Sequence, residues 1–240
     1  MAVALSEIRA LGFRGFESFG PGMYGGEEEY RRLVKASGLQ VASLYSGGAF
    51  IDPQRAEMEI AAMEKVARFL SSLGSKEMVI GGGRRRPEGN RREDFENMAR
   101  ALNRIGEIAR QNGLRACFHP HSGTCVESGP QVDLLMELTD AAVVYLCPDV
   151  AHLLRGGADP VAYVEKYLPR IGYVHLKDLG EDGRFVELGY GRVNLKAVLE
   201  VLKQGGYSGW LTVELDSTTR TPKESAEINL RYLQSQGIAA

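Results

Sequence analysis

The amino-acid sequence predicts an α/β protein of the (β/α)8 barrel class. Helical and strand-like segments alternate strictly along the 240 residues, with short connections and no Pro- or Ser-rich linker. The strand-like segments keep one face apolar, whereas the other face becomes polar towards the carboxyl end. A sheet covered by helices on both sides would be apolar on both faces, so we expect a closed barrel whose site lies at the carboxyl-terminal mouth.

Hydrophobic periodicity and capping signals define the predicted helices. Asp52 and Pro53 provide an N-cap residue followed by proline at the first helical position, and Gly12 and Gly38 follow the ends of two helices. The predicted helices span residues 3–11, 27–37, 54–73, 92–112, 130–139, 160–168, 195–204 and 223–234.

Seven predicted strands alternate with these helices. They span residues 13–18, 39–45, 77–80, 114–121, 142–149, 171–178 and 210–216. Successive side chains of a strand point to opposite faces. In the last strand, Leu211 and Val213 therefore share the apolar face, whereas Thr212 and Glu214 share the polar face.

The strand count differs from that of a complete barrel. A (β/α)8 barrel opens with a strand, but this chain opens with a helix and shows seven strands. We expect a single domain over residues 1–240 in which the first strand either lies upstream of this start or is missing. In the second case a gap separates the strands at 13–18 and 210–216. The sequence does not decide between these alternatives.

Composition limits the classes of partner. The formal net charge is −2 and the sequence pI is about 6.1, so there is no basic field for nucleic acid or for an anionic membrane surface. No apolar stretch reaches the ~18 residues of a membrane helix. The three cysteines match no disulfide framework or metal-finger spacing. We expect a cytoplasmic protein that binds a small molecule, and the sequence is compatible with a homo-oligomer.

All four histidines lie at or just past the ends of three successive predicted strands, and carboxylates accompany them. The set comprises His119, His121, Glu127, Asp149, His152, His175 and Glu214. Carboxylate oxygens and imidazole nitrogens together suit a divalent cation, whereas a structural zinc site would use a thiolate cluster. We expect one divalent metal ion, with Mn²⁺ or Co²⁺ preferred over Zn²⁺, Fe²⁺ and Mg²⁺.

Five segments resemble a known family. They are FHPHSGTCVE at 118–127, CPDVAHL at 147–153, YVHLKD at 173–178, ELGYGRVN at 187–194 and GWLTVELD at 209–216. These segments are similar to those of the sugar phosphate isomerase/epimerase family of xylose isomerase-like TIM barrels, and within it most similar to the inosose (2-keto-myo-inositol) dehydratase group. The resemblance extends from residue 5 to about residue 233.

The resemblance implies a metal ion held by Asp149, His175, Glu214 and a ligand from the loop after the strand at 114–121. Many relatives carry a glutamate at the position of His119, so this chain departs from the family pattern. Either Glu127 folds back from the loop or His119 binds directly. We favour Glu127 because a third carboxylate balances the charge of the cation better, which leaves His119 to bind substrate.

The implied activity is that of a metal-dependent lyase or isomerase acting on a keto-sugar or keto-inositol. A metal-bound carbonyl acidifies its α-proton, and either Glu214 or His121 acts as the base. His152 binds a substrate hydroxyl or acts as the general acid, and Lys177 contributes to substrate binding. Dehydration, isomerisation and epimerisation are all compatible with these groups.

Two other classes of function compete with this hypothesis. A metal-dependent hydrolase would need a multi-metal cluster, which four histidines supply poorly. A non-catalytic barrel that binds a sugar, or that serves as a subunit of a hetero-oligomer, would need no metal. Metal content separates these alternatives.

Overall fold

The computed structural model describes residues 1–238 and confirms the predicted α/β barrel class. Within this range the strands are β1 Gly15–Ser18, β2 Gln40–Leu44, β3 Ser46–Gly48, β4 Glu77–Gly82, β5 Arg115–His119, β6 Val144–Leu146, β7 Val174–Leu176, β8 Asp178–Leu179, β9 Phe185–Val186 and β10 Leu211–Val213. The α-helices are α1 Ala2–Leu11, α2 Glu27–Ser37, α3 Pro53–Ser72, α4 Arg92–Gln111, α5 Gly129–Leu138, α6 Val150–Arg155, α7 Pro160–Tyr167, α8 Leu195–Gln204 and α9 Pro222–Ser235.

Parallel pairing brings the strands around the barrel in sequence order. β1 pairs with β2, β3 to β6 form one sheet, and β7 pairs with β10. β2 and β3 are separated by Tyr45 alone and occupy one strand position. Isolated bridges from Leu146 to Ile171 and from Asp149 to His175 connect β6 to β7. The described chain thus fills seven parallel positions, with β8 and β9 forming a separate antiparallel hairpin.

The two ends of this series, β1 and β10, do not meet. No backbone hydrogen bond joins them within residues 1–238. A cavity of about 1410 Å³ lies between them, bounded on the outside by α1 and α9. This gap lies between the strands predicted at 13–18 and 210–216.

The main core fills the space between the strands and the outer helices. Leu44, Ile80, Phe118 and Leu146 project from the sheet and are at most 1% exposed, and they belong to one cluster with residues of α3 and α4. A smaller cluster of Val79, Cys117, Cys147 and Tyr173 fills the barrel interior below the mouth. Within residues 1–238, every helix is too short or too polar to cross a bilayer.

The prediction missed α6 because the strand at 142–149 was extended too far. The Asp149 carboxylate accepts hydrogen bonds from the backbone N–H groups of Ala151 (3.0 Å) and His152 (2.9 Å), which makes it the N-cap of α6. An N-cap residue ends the preceding extended segment. By contrast, the predicted start of α3 is confirmed, since Asp52 accepts from the Gln54 N–H at 3.0 Å.

A candidate metal centre at the barrel mouth

Four side chains from four strand ends converge at the mouth. His119 is the last residue of β5, Asp149 follows β6, His175 is the central residue of β7, and Glu214 follows β10. One donor atom from each lies within 4.8 Å of the donor atoms of the others. Parallel strands explain this convergence, because their carboxyl ends meet at one rim.

The donor atoms of this group are buried, and their hydrogen-bonding capacity is incompletely satisfied. Within residues 1–238 neither ring nitrogen of His119 has a hydrogen-bond partner. The other donor atoms, Asp149 Oδ2, His175 Nδ1 and Glu214 Oε2, have only ion-pair contacts with one another or with Lys177. His175 Nδ1 and Glu214 Oε2 lie 2.9 Å apart, and adjacent ligands about 2.1 Å from a shared cation would lie roughly 3 Å apart. Buried polar atoms are normally satisfied, so this set fits a divalent cation.

The two carboxylate oxygens of Asp149 have different contacts. Oδ1 caps α6, whereas Oδ2 makes no hydrogen bond and lies 3.4 Å from the Lys177 ammonium. The helix cap therefore fixes the orientation of the carboxylate. Asp149 is fully buried, so the orientation depends on protein groups rather than on solvent.

Glu17 is a site residue that the sequence interpretation missed. It lies in β1, and its carboxylate is 3.2 Å from His175 Nε2, the ring nitrogen opposite to the one in the donor group. Histidine ligands of metals usually donate their second N–H to such a carboxylate. The available signal was an acidic residue near the end of the first predicted strand.

Lys177 is fully buried among carboxylates. Its ammonium lies 3.0 Å from Asp216 Oδ1, 3.2 Å from Glu214 Oε1 and 3.4 Å from Asp149 Oδ2. It also lies 3.2 Å from His152 Nε2. Burial favours the neutral amine, but the carboxylates outweigh burial and raise the pKa of Lys177, so it remains an ammonium.

The electrostatics of the mouth favour cations. Burial by itself would lower the pKa of His175, but the carboxylates of Glu17 and Glu214 outweigh it and raise that pKa to about 10. Burial likewise opposes ionisation of Glu214, yet His175 and Lys177 lower its pKa below the usual range. The negative charge that draws a proton onto His175 would also attract a divalent cation.

The other two histidines lie beside this group. The ring centroids of His121 and His152 are 3.8 Å apart, and His152 Nδ1 lies 2.9 Å from Ser122 Oγ. Burial, together with the charge of Lys177, lowers the pKa of His152 to about 2 and keeps it neutral. His121 lines the large cavity, and its Nδ1 lies 2.8 Å from the carbonyl oxygen of Ser122.

The structure does not bring Glu127 into the donor group. Its carboxylate instead contacts Arg85 Nη1 at 2.5 Å and accepts the backbone N–H of Gly123 at 2.6 Å. His119, by contrast, contributes a ring nitrogen to the group. The physical reason is that the short loop at 121–126 turns back on itself, with the His121 N–H bonded to Val126 O, and directs Glu127 towards the surface.

The β8–β9 hairpin covers one side of the mouth, and the sequence did not predict it. The Phe185 ring lies 4.7 Å from the ring centroid of His152 and 4.7 Å from the Lys177 ammonium. Asp178 anchors the following loop by accepting four backbone N–H groups, from Leu179, Gly189, Gly191 and Val193. This loop contains the ELGYGRVN segment.

Comparison with known proteins shows that this chain is similar to members of one family. The family model described as xylose isomerase-like TIM barrel matches residues 5–236. Among curated proteins, the chain is 30% identical to an inosose dehydratase of Clostridium tetani, covering 97% of this chain and 88% of the relative. It is 31% identical to an inosose dehydratase of Geobacillus kaustophilus, covering 95% and 85%.

Solved structures show the same fold at lower identity. A sugar phosphate isomerase/epimerase from Parabacteroides distasonis superposes with a TM-score of 0.82 at 22% identity, covering all of this chain and 90% of the other. A 3-keto-D-glucoside 4-epimerase from E. coli gives a TM-score of 0.80 at 20% identity, with coverage of 97% and 94%. These similarities concern the fold.

Proposed function

Because this chain belongs to the xylose isomerase-like TIM barrel family, we propose that it is a divalent-metal-dependent lyase or isomerase acting on a keto-sugar or keto-inositol. The observation that carries the proposal is the convergence of four donor side chains, His119, Asp149, His175 and Glu214, of which the first three are buried. The similarity to inosose dehydratases over nearly the whole chain supports a keto-inositol as the substrate class.

The cation in this proposal is held by two imidazoles and two carboxylates, from His119, His175, Asp149 and Glu214. Such a donor set suits Mn²⁺ or Co²⁺. When bound, a divalent ion polarises the substrate carbonyl and stabilises the negative charge that develops as the α-proton leaves. Glu127, which pairs with Arg85, has no part in the proposed centre.

Glu214 is the group that we assign to remove the α-proton. Its carboxylate stays ionised because His175 and Lys177 lower its pKa, and its side chain retains 34% exposure and lines the cavity. A carboxylate in this state can accept a proton from a substrate carbon. Lys177 holds the second oxygen of this carboxylate at 3.2 Å and thereby orients it.

Dehydration also requires a proton for the departing β-hydroxyl, which leaves as water while a C=C bond forms beside the carbonyl. We assign this proton to His121, since its ring lines the cavity and the Ser122 carbonyl holds Nδ1. His152 is buried and stays neutral, so in this scheme it orients Lys177 rather than serving as the acid. Returning the proton to a neighbouring carbon would give isomerisation, and returning it to the opposite face would give epimerisation.

A multi-metal hydrolase has less support. A further group of close donors, His119, His121 and His152, shares His119 with the four-residue group. This group contains three imidazoles and no carboxylate that could balance the charge of a second cation.

Isotope exchange tests the proposal directly. Protein loaded with Mn²⁺ or Co²⁺ is incubated with keto-inositols and ketohexoses in D₂O, and α-deuterium incorporation is followed by proton NMR. We expect exchange with at least one keto-inositol and a loss of about 10²-fold or more in Glu214→Gln. The matched control Glu127→Gln should keep the wild-type rate. If one equivalent of metal binds but no substrate exchanges, the barrel is a binding protein and the proposed chemistry is rejected.

A further inference from the structure

The Cys147 thiol lies in the barrel interior just below the mouth. The backbone N–H of Cys147 donates to Phe118 O on β5 at 2.7 Å, so Cys147 lies at the level of His119, the last residue of that strand. Alternate residues of an extended segment share a face, and Cys147 and Asp149 therefore both point into the barrel. The cysteine is fully buried and is not part of a disulfide.

Cys147 belongs to another group of close donors. One donor atom from each of His119, Cys147 and His175 lies within 4.8 Å of the donor atoms of the other two. All three residues are at most 1% exposed. Zinc takes nitrogen at about 2.1 Å and sulfur at about 2.3 Å, so two such ligands of one cation lie up to about 4.4 Å apart. Small rotations of these side chains would therefore bring all three to one cation. We call this group the thiol site.

His119 provides an independent reason to expect a ligand at the thiol site. Its ring is 1% exposed, and neither ring nitrogen has a hydrogen-bond partner within residues 1–238. Buried polar atoms are normally satisfied. The ring centroids of His119 and His175 are 4.6 Å apart, so the two imidazoles can share one cation with the sulfur of Cys147 beneath them.

We propose that the thiol site binds thiophilic divalent cations such as Zn²⁺ and Cd²⁺, and that a cation bound there excludes Mn²⁺ from the centre described under the proposed function. Thiolate ligands select soft cations, whereas carboxylates suit Mn²⁺. Exclusion follows because both donor groups use His119 and His175. The thiol proton passes to solvent as the sulfur–metal bond forms. The inference rests on donor atoms of the proposed function but not on its chemistry.

The carboxylates at the mouth have partners of their own when a cation occupies the thiol site. Asp149 Oδ2 lies 3.4 Å and Glu214 Oε1 lies 3.2 Å from the Lys177 ammonium. These ion pairs can persist when the cation lies lower in the barrel, beside Cys147. Such a cation would not draw a substrate carbonyl to Glu214, so the form loaded with a thiophilic cation is inactive.

Titration with Cd²⁺ alone tests this inference without an activity assay. A thiolate bound to Cd²⁺ gives a charge-transfer band in the ultraviolet, which imidazole and carboxylate ligands do not give. We expect a band that saturates at one Cd²⁺ ion per chain. Protein first loaded with Mn²⁺ should release it over the same range of Cd²⁺ concentration, which electron paramagnetic resonance of the free Mn²⁺ ion measures.

Cys147→Ser and Cys117→Ser form a matched pair of buried substitutions. Cys147→Ser should lose the band and bind Cd²⁺ about 100-fold more weakly or worse, since an outer-shell change alone costs about 10-fold to 100-fold. It should keep its affinity for Mn²⁺. The Cys117 thiol instead donates to Arg115 O at 3.6 Å, and Cys117→Ser should keep the band and both affinities.

Circular dichroism checks that both variants fold. If Cys147→Ser does not fold, the double variant Cys117→Ser/Cys125→Ser decides the question. It leaves Cys147 as the one remaining cysteine of the three in the chain, and its Cd²⁺ complex should show the full band.

The outcomes separate this inference from the proposed function. Binding of Mn²⁺ together with Cd²⁺ binding that gives no band would overturn the thiol site and leave the proposed function standing. A band without any Mn²⁺ binding would support the thiol site and count against the proposed function. A band that persists in Cys147→Ser, or Cd²⁺ and Mn²⁺ bound at the same time, would overturn the inference. Binding of neither ion would reject both.

Discussion

The carboxylate of Glu17 lies 3.2 Å from His175 Nε2, and this contact orients the imidazole so that Nδ1 faces the other donor atoms. The contact crosses the barrel interior from β1 to β7. Such outer-shell carboxylates fix the tautomer of a histidine ligand and increase its basicity. In the proposed metal centre, a residue that would not itself contact the cation therefore helps to position a ligand.

We expect Glu17→Gln to weaken Mn²⁺ binding by about 10-fold to 100-fold, the range typical of outer-shell partners. The amide keeps the size of the side chain but lacks the negative charge that favours a donating Nε2–H. Isothermal titration with Mn²⁺ measures the change. Glu28→Gln, at an exposed position of α2, is the matched control and should bind normally. Unchanged affinity in Glu17→Gln would show that the contact has no role in metal binding.

Substitutions of His119 and Glu127 test which of the two supplies the fourth ligand of the proposed metal ion. Removing His119 deletes a donor from the group of four, so His119→Ala should lose more affinity for Mn²⁺ than the 10-fold to 100-fold expected of an outer-shell change. Glu127→Ala should keep wild-type affinity because that carboxylate pairs with Arg85. Elemental analysis after loading and dialysis gives the stoichiometry for both. Metal loss in Glu127→Ala with retention in His119→Ala would reverse the assignment.

The convergence at the mouth was predictable because strand ends meet at one rim of a parallel barrel, whichever side chains they carry. His175 and Glu214 were located in this way, on strand positions whose direction follows from alternation. The direction of Glu127 was not predictable, because it depends on the turn at 121–126 and on Arg85, which lies 42 residues away in sequence. Loop conformation of this kind is set by tertiary contacts.

The contacts of Glu17 and Lys177 were also unpredictable, because they too depend on tertiary structure. Each is a charged residue on a predicted strand. From the sequence alone, such a residue is as compatible with a solvent-exposed position as with a buried site. Only the folded structure shows that Lys177 is fully buried and lies within 3.4 Å of three carboxylates. The network is long-range, with Glu17 and His175 separated by 158 positions. Sequence spacing carries no signal for such a contact.

Asp178 should control the loop that follows the β8–β9 hairpin. Its two oxygens accept four backbone N–H groups at 2.8 to 3.0 Å, whereas an asparagine offers one acceptor oxygen and an NH₂ group that cannot accept. We expect Asp178→Asn to reduce the free energy of unfolding by about 3 kcal/mol and to speed hydrogen exchange across residues 187–193. Asp182→Asn, in an exposed part of the hairpin, should leave exchange there unchanged. Equal exchange in both variants would contradict this role.

Asp94 should make the protein sensitive to acid. Its buried carboxylate accepts from the Arg86 guanidinium at 2.9 Å and from the Arg91 N–H at 2.9 Å, and the hydrogen-bonded Arg86 lowers the pKa of Asp94 from its usual value. A carboxylate with a lowered pKa in the folded state stabilises the protein above its unfolded pKa, and this stabilisation is lost as the pH falls through the folded value.

We therefore expect Asp94→Asn to lower the free energy of unfolding by about 2 kcal/mol at pH 7, and the difference from wild type to shrink as the pH falls below about 4. Urea unfolding followed by circular dichroism at pH 7, 5, 4 and 3 would measure it. Glu181→Gln, at an exposed position, controls for the loss of a surface charge and should follow the wild-type curve. A difference that stays constant from pH 7 to pH 3 would mean that Asp94 acts through packing, since a packing contribution does not depend on its ionisation.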